Sequence, residues 1–389
     1  MSIALEKLDR IAFPMGIMDL SIRSDGLMAY AACMDGIYQC VLPVDPKASD
    51  KPNPVRIGQH TSYVSGIALL ESNSSLVSTS YDGTLQIRDL PNRLDKDKDK
   101  DKAVATGNSV EAALSNISEL PPRFSERVHN FWSWGMASSP DERYVASVSG
   151  QYLAGAEDYS PLGANEPTVK VFDATSGKLI HAFEMLPSVQ CVAFDPKSQY
   201  VAAANLMGDI AVWEIASGQK LAAWRTPDFT SWGIIKSHCY IGGIYAVAFS
   251  PDSESLYAAG MGEMKDPMAG NGKQKWQRFH WRKNPVEKHQ EIVADQSGEG
   301  LMETLAWASS GAHFAMAGRL RGGNWNAAVF SADSGQLLGQ AKTGMRITTA
   351  KFSPDGQVLY LAGMQGQPAP KKDSFPSFGY LERYQVKIT

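Results

Sequence analysis

The sequence predicts an all-β fold in which seven similar four-stranded sheets close into a ring. Three observations predict it. One phrase recurs seven times along 389 residues, each copy breaks into short apolar strands at turn-forming residues, and a column of mostly small residues keeps its place in every copy. The clearest unit is VQCVAFDPKSQYVAAANLMGDIAVWEIASGQKLAAW (189–224). It reads as the strands VQCVAF, QYVAAAN, IAVWEI and KLAAW, separated by D-P-K-S, M-G-D and S-G-Q, which are turn chemistry.

The phrase returns as IYAVAFSPDSESLYAAG (244–260) and ITTAKFSPDGQVLYLAG (347–363). Weaker copies are IMDLSIRSDGLMAYAAC (17–33), YVSGIALLESNSSLVSTS (63–80), SWGMASSPDERYVASVSG (133–150) and METLAWASSGAHFAMAG (302–318). Aligned on the last residue of the first strand, the copies place Ile22, Leu69, Ser138, Phe194, Phe249, Trp307 and Phe352 in register. One position earlier stand Ser21, Ala68, Ala137, Ala193, Ala248, Ala306 and Lys351, a column suited to innermost strands crowded around an axis. Repeats of roughly 40–45 residues with four strands each are blades of a β-propeller.

Seven blades follow in order, at about 15–59, 60–127, 128–187, 188–227, 243–297, 301–343 and 345–389. The seventh copy supplies only three strands, at 346–352, 357–363 and 380–388. EKLDRIAF (6–13), within the stretch 4–13, has strand character and is expected to complete that blade from outside. Such a closure removes open sheet edges. Blade two carries an insertion, 91–127, whose DKDKDKDK run predicts a solvated, partly disordered segment. Its SVEAALSNI suits a short helix with Ser109 as N-cap. The fourth strand of blade two falls inside this insertion, with AVATGN (103–108) the candidate.

At this point the chain resembles the WD40-repeat family of β-propellers over essentially its whole length. The resemblance rests on Phe249-Ser250-Pro251-Asp252, on Phe352-Ser353-Pro354-Asp355-Gly356, and on GQHTSYVSGIALLESNSSLVSTSYDGTLQIRDL (58–90). It implies a structural network of His60, Ser80 and Asp82, tying the turn after the second strand to the segment that enters the blade. It also implies a habit of binding proteins. The chain departs from the pattern: no copy ends in Trp-Asp, and only one shows the loop histidine.

Function in such a scaffold lies in departures from the repeat. The turns between second and third strands share one face, the top, with the segments entering each blade. Copies one, two and four have tight turns there. Copies three, five, six and seven carry expansions at 150–167, 260–273, 318–326 and 363–379, and the stretch entering blade five, 226–243, is also long. The top face therefore collects Trp132, Trp134, Tyr152, Tyr159, Phe229, Trp232, Trp325, Phe375 and Phe378, with Arg319, Arg321, Lys371 and Lys372. Two readings stand open: plugs that pack long loops onto the blades, or anchors for a partner, since aromatic residues and arginine dominate binding hot spots. Lys265, Lys273 and Lys275 add to a basic sector over blades five to seven. Glu157, Asp158 and Glu166 mark an acidic one on blade three. Opposed sectors would orient a charged partner.

The leading functional expectation is a non-enzymatic scaffold or interaction subunit that docks a protein partner through this face. A second is binding of nucleic acid or another polyanion by blades five to seven, where KQKWQRFHWRK (273–283) interleaves basic and aromatic residues. A third is a small-molecule or enzymatic site at the top of the channel. No hydrolase elbow, zinc-protease motif or phosphate-binding loop appears. No cofactor is implied. Cys33, Cys40, Cys191 and Cys239 are scattered, and His238, His280 and His289 lack further ligands at metal spacing, so no metal is expected. The net charge of −4 gives no global pull toward polyanions, and no apolar run is long enough to span a bilayer. With no secretory signal, a cytoplasmic location is expected.

Overall fold

A computed structural model describes residues 2–45, 52–91, 119–151, 166–186, 188–232, 240–266, 271–320, 322–366 and 377–389. Among these, seven antiparallel sheets form a ring, and the chain is all-β apart from two 3₁₀ turns. The innermost strands are Ile17–Ile22, Val64–Leu70, Ser133–Ser138, Val189–Phe194, Tyr240–Phe249, Met302–Trp307 and Arg346–Phe352. Six sheets are ordered consecutively from the axis outward, blade five gaining a fifth strand, Thr230–Trp232, against its innermost one. The second strands are the most deeply buried. Met28–Cys33, Ser75–Ser80 and His313–Gly318 are covered at all six positions, because both faces of each blade meet a neighbour.

The seventh sheet closes the ring. Its outer strand is Ile3–Phe13, paired antiparallel with Gly379–Ile388 from Ile3↔Ile388 to Phe13↔Gly379. The buried Arg383 guanidinium meets Asp9 across that pairing. The fourth strand of blade two is Phe124–Arg127, paired with Thr84–Ile87. It lies at the far end of the insertion, not at 103–108, a stretch outside the described residues along with the expected helix. The strand is short and its burial shallow.

Packing follows the ring. Among the described residues, seven apolar clusters occupy the seven seams between successive blades. The seam between blades seven and one holds Phe13, Ile17, Leu20 and Leu381, which couples closure to core formation. Six residues of the predicted small column, Ser21, Ala68, Ala137, Ala193, Ala248 and Lys351, line a central cavity of about 470 Å³. Small side chains there let seven strands approach one axis.

On the bottom face, the turn between first and second strands holds one left-handed residue in each blade. It is glycine in blades one, six and seven (Gly26, Gly311, Gly356) and Ser74, Glu142, Ser198 and Ser253 in blades two to five. A left-handed non-glycine residue costs roughly 1–2 kcal/mol. Three of these four side chains reach the preceding blade. Glu142 accepts from the backbone N–H groups of Glu71 and Ser72, the Ser198 hydroxyl accepts from Asp141 N–H, and the Ser253 hydroxyl donates to Asp195. These bonds offset the strain and clasp adjacent blades.

Candidate interaction face

The top face is built around blade two. Asp82, in the turn after Ser75–Ser80, accepts from Thr61 N–H and Oγ1 and from Thr84 N–H and Oγ1 at 2.5–2.9 Å. Burial alone would raise its carboxyl, but the neighbouring His60 ring, 3.7 Å away, and hydrogen bonds from Thr84 and Thr61 outweigh that and hold it far below the usual carboxylate range. His60 bridges Thr84 Oγ1 at 2.7 Å and Ser78 Oγ at 2.8 Å. The hydroxyl partner is thus Ser78, two residues before the expected Ser80, whose own hydroxyl accepts Asp82 N–H. Ser78 is fully buried, and the arrangement joins the Asp82 turn to the segment that enters the blade.

Blade three repeats half of the network. His129 Nε2 lies 3.1 Å from Ser147 Oγ, which is 2.7 Å from Ser133 Oγ. Both histidines stand eighteen residues before their serine, so the spacing was present in the sequence. Burial, then the nearby Lys170, pushes the His129 imidazole down to about 3.

Above this framework lies a row of rings. Tyr63 and Tyr81 are 5.7 Å apart, Tyr81 stacks on Trp132 at 4.9 Å and 1°, and Trp132 stacks on Phe131 at 5.2 Å. Trp134 meets Tyr81 and Trp132 edge-on and donates its indole N–H to Gly150 O at 2.9 Å. Local packing enforces the arrangement. A Cβ on Gly83 would lie 2.2 Å from His129 O, so the segment bearing Phe131 and Trp132 rests directly on the Tyr81 turn. Tyr63 is 41% exposed and Trp132 43%. Trp134 also borders a cavity of about 180 Å³ at the channel mouth, which Glu303 lines. Arg346 grips Glu303 there through two 2.6 Å bonds.

The remaining expected residues divide. Phe229 is fully buried in the seam between blades four and five. Trp325 is buried between blades five and six, its indole donating to Gln296 O, and Phe378 is buried beside Gly16. These three are plugs rather than contact surface. Arg319 is half-buried, its backbone N–H donating to Leu301 O. Trp232 belongs to the added strand of blade five, with its side chain outside the described residues. Tyr152, Tyr159, Arg321, Lys371, Lys372 and Phe375 also lie outside them.

The charged sectors are more self-contained than their sequence suggests. Lys275 pairs with Glu291 at 3.0 Å, and Glu166 with Lys170 at 3.1 Å while accepting Asn130 N–H. In the aromatic–basic stretch, Trp276, Phe279 and Trp281 are buried. Arg278 donates to Ser255 Oγ, Lys283 pairs with Glu287, and Arg282 lies over the Trp281 ring. Among the described residues, no group of three or more His, Cys, Asp or Glu side chains is placed to hold a metal ion. Cys33, Cys40 and Cys191 are buried free thiols, and no described helix is long and apolar enough to cross a membrane.

No curated protein matches the chain. The family model described as "WD domain, G-beta repeat" matches residues 53–89. That stretch supplies the outer strand of blade one and three strands of blade two, including the His60–Asp82 network. The matched repeat is thus one of seven blades in a closed ring, and the chain is a seven-bladed β-propeller that carries a WD40 repeat.

Proposed function

We propose that the protein is a non-enzymatic interaction subunit that docks a protein partner on the top of blades two and three, with Trp132, Tyr63 and Tyr81 as anchors. WD40 propellers are typically scaffolds that bind proteins. The observation that carries the placement is the exposure of Trp132 and Tyr63 within one continuous row of rings beside the channel mouth. Rings already locked by stacking lose little freedom on binding, which favours affinity. The engagement of the blade-five basic side chains by acids and rings weighs against the polyanion reading.

The test is affinity purification of the tagged full chain from its native host, read by mass spectrometry. Trp132→Ala with Tyr63→Ala is compared with Leu221→Ala on the distant outer edge of blade four. A stoichiometric protein kept by wild type and Leu221→Ala but lost from the ring variant is the expected result. Removing one hot-spot aromatic costs about 2 kcal/mol or more, roughly thirtyfold in affinity. The same proteins in all three samples would remove the ring row as the docking site.

A further inference from the structure

The outer edge of blade five departs from the repeat at two neighbouring positions. In four other blades, three, four, six and seven, the pairing of third and fourth strands slips by one residue near the bottom face. The extra residue is Ile180, Leu221, Leu338 or Leu8, always aliphatic. In blade five the slip falls between Arg278 and Phe279, and the extra residue is His289. A bulge of this kind re-aims the side chain it carries. The re-aimed ring meets His280, whose centroid lies 4.3 Å away at 45°. His280 stands where the same four blades have Asp173, Glu214, Ser331 and Gln385.

We propose that His280 and His289 form a two-imidazole chelation site for a late first-row divalent metal ion of the nickel, copper and zinc group. Imidazole suits these ions, and two nitrogens about 2.1 Å from one metal sit roughly 3 Å apart, within reach of rings this close. His289 is exposed and His280 half-buried, so the pair has one fixed arm and one that adjusts. Waters complete the coordination shell. Chelation needs neutral rings. The site is separate from the ring row and stands whether or not docking occurs there.

The tag-free full chain is titrated calorimetrically with NiCl₂ and with ZnCl₂ in a non-chelating buffer at pH 7.5. His289→Leu and His280→Gln are the comparison proteins. Leucine is the residue of blades four, six and seven at the bulge, and glutamine that of blade seven at the other position, so both variants suit the fold. Wild type is expected to bind one ion per chain, with affinity roughly tenfold or more weaker in each variant. Unchanged affinity in either variant overturns the pair as the site, and so does the absence of saturable binding in wild type.

Discussion

The deeply buried His129 makes a sharp prediction about acid stability. Its imidazole is 1% exposed and is pushed down to about 3, against 6.5 for the free side chain. A histidine depressed in the native state stays neutral there while the unfolded chain takes up its proton. The stability it contributes is therefore complete above pH ~6.5 and drains as pH falls toward ~3, at about 1.4 kcal/mol per pH unit. Between pH 7 and pH 5 the linkage amounts to about 2 kcal/mol from this one group. His129→Gln keeps an amide nitrogen near Ser147 Oγ and removes the titration. Urea unfolding at pH 7, 6 and 5 reads the difference without the charge screening of guanidinium. The variant starts about 1 kcal/mol less stable at pH 7, a usual cost for a buried polar substitution. It should then lose about 2 kcal/mol less than wild type on going to pH 5. His60 and His313, also held low by burial, steepen both curves equally. Parallel curves for the two proteins would refute a neutral, inaccessible His129.

Two further predictions concern backbone and core. Gly83→Ala should destabilise by about 3 kcal/mol in chemical denaturation, because a left-handed φ of +79° is compounded by a Cβ only 2.2 Å from His129 O. Gly366→Ala, left-handed but with no atom within 4 Å of the new Cβ, should cost only about 1 kcal/mol, and equal losses would show that the contact between blades two and three yields freely. His313→Phe should stabilise by about 1–2 kcal/mol, since both ring nitrogens are buried without partners and the ring already packs edge-on against Phe352. A lower melting temperature for that variant would mean that a polar contact at His313 does matter to the fold.

The ring and its closure were legible because each blade states its own turns. Ser250 and Asp252, like Ser353 and Asp355, hydrogen-bond within the turn they announce, and the small column lines the channel where seven strands converge. Features set by a neighbouring blade were harder to read. Phe124–Arg127 carries a weak pattern of its own and becomes a strand through pairing with Thr84–Ile87. The loop histidine of blade three lacks an Asp-Gly turn after its second strand, so His129 stood without the Asp82 counterpart that marks His60.

The paired phrases NFWSWG (130–135) and DFTSWG (228–233) show why residue type alone could not separate plug from contact surface. Phe229 lies in a 3₁₀ turn that follows the outer strand of blade four, where the chain runs back over a seam, and burial there satisfies it. Phe131 and Trp132 immediately precede an innermost strand, Ser133–Ser138, so they emerge at the rim of the channel with the Tyr81 turn beneath them. There the rings cover one another, and Trp132 and Tyr63 stay about two-fifths exposed, at 43% and 41%. The same local chemistry thus becomes core or surface according to where the repeat places it. The bulge on blade five obeys the same logic, since the fold fixes a position that other blades fill with aliphatic residues and the side chain found there, His289, sets what that position can do.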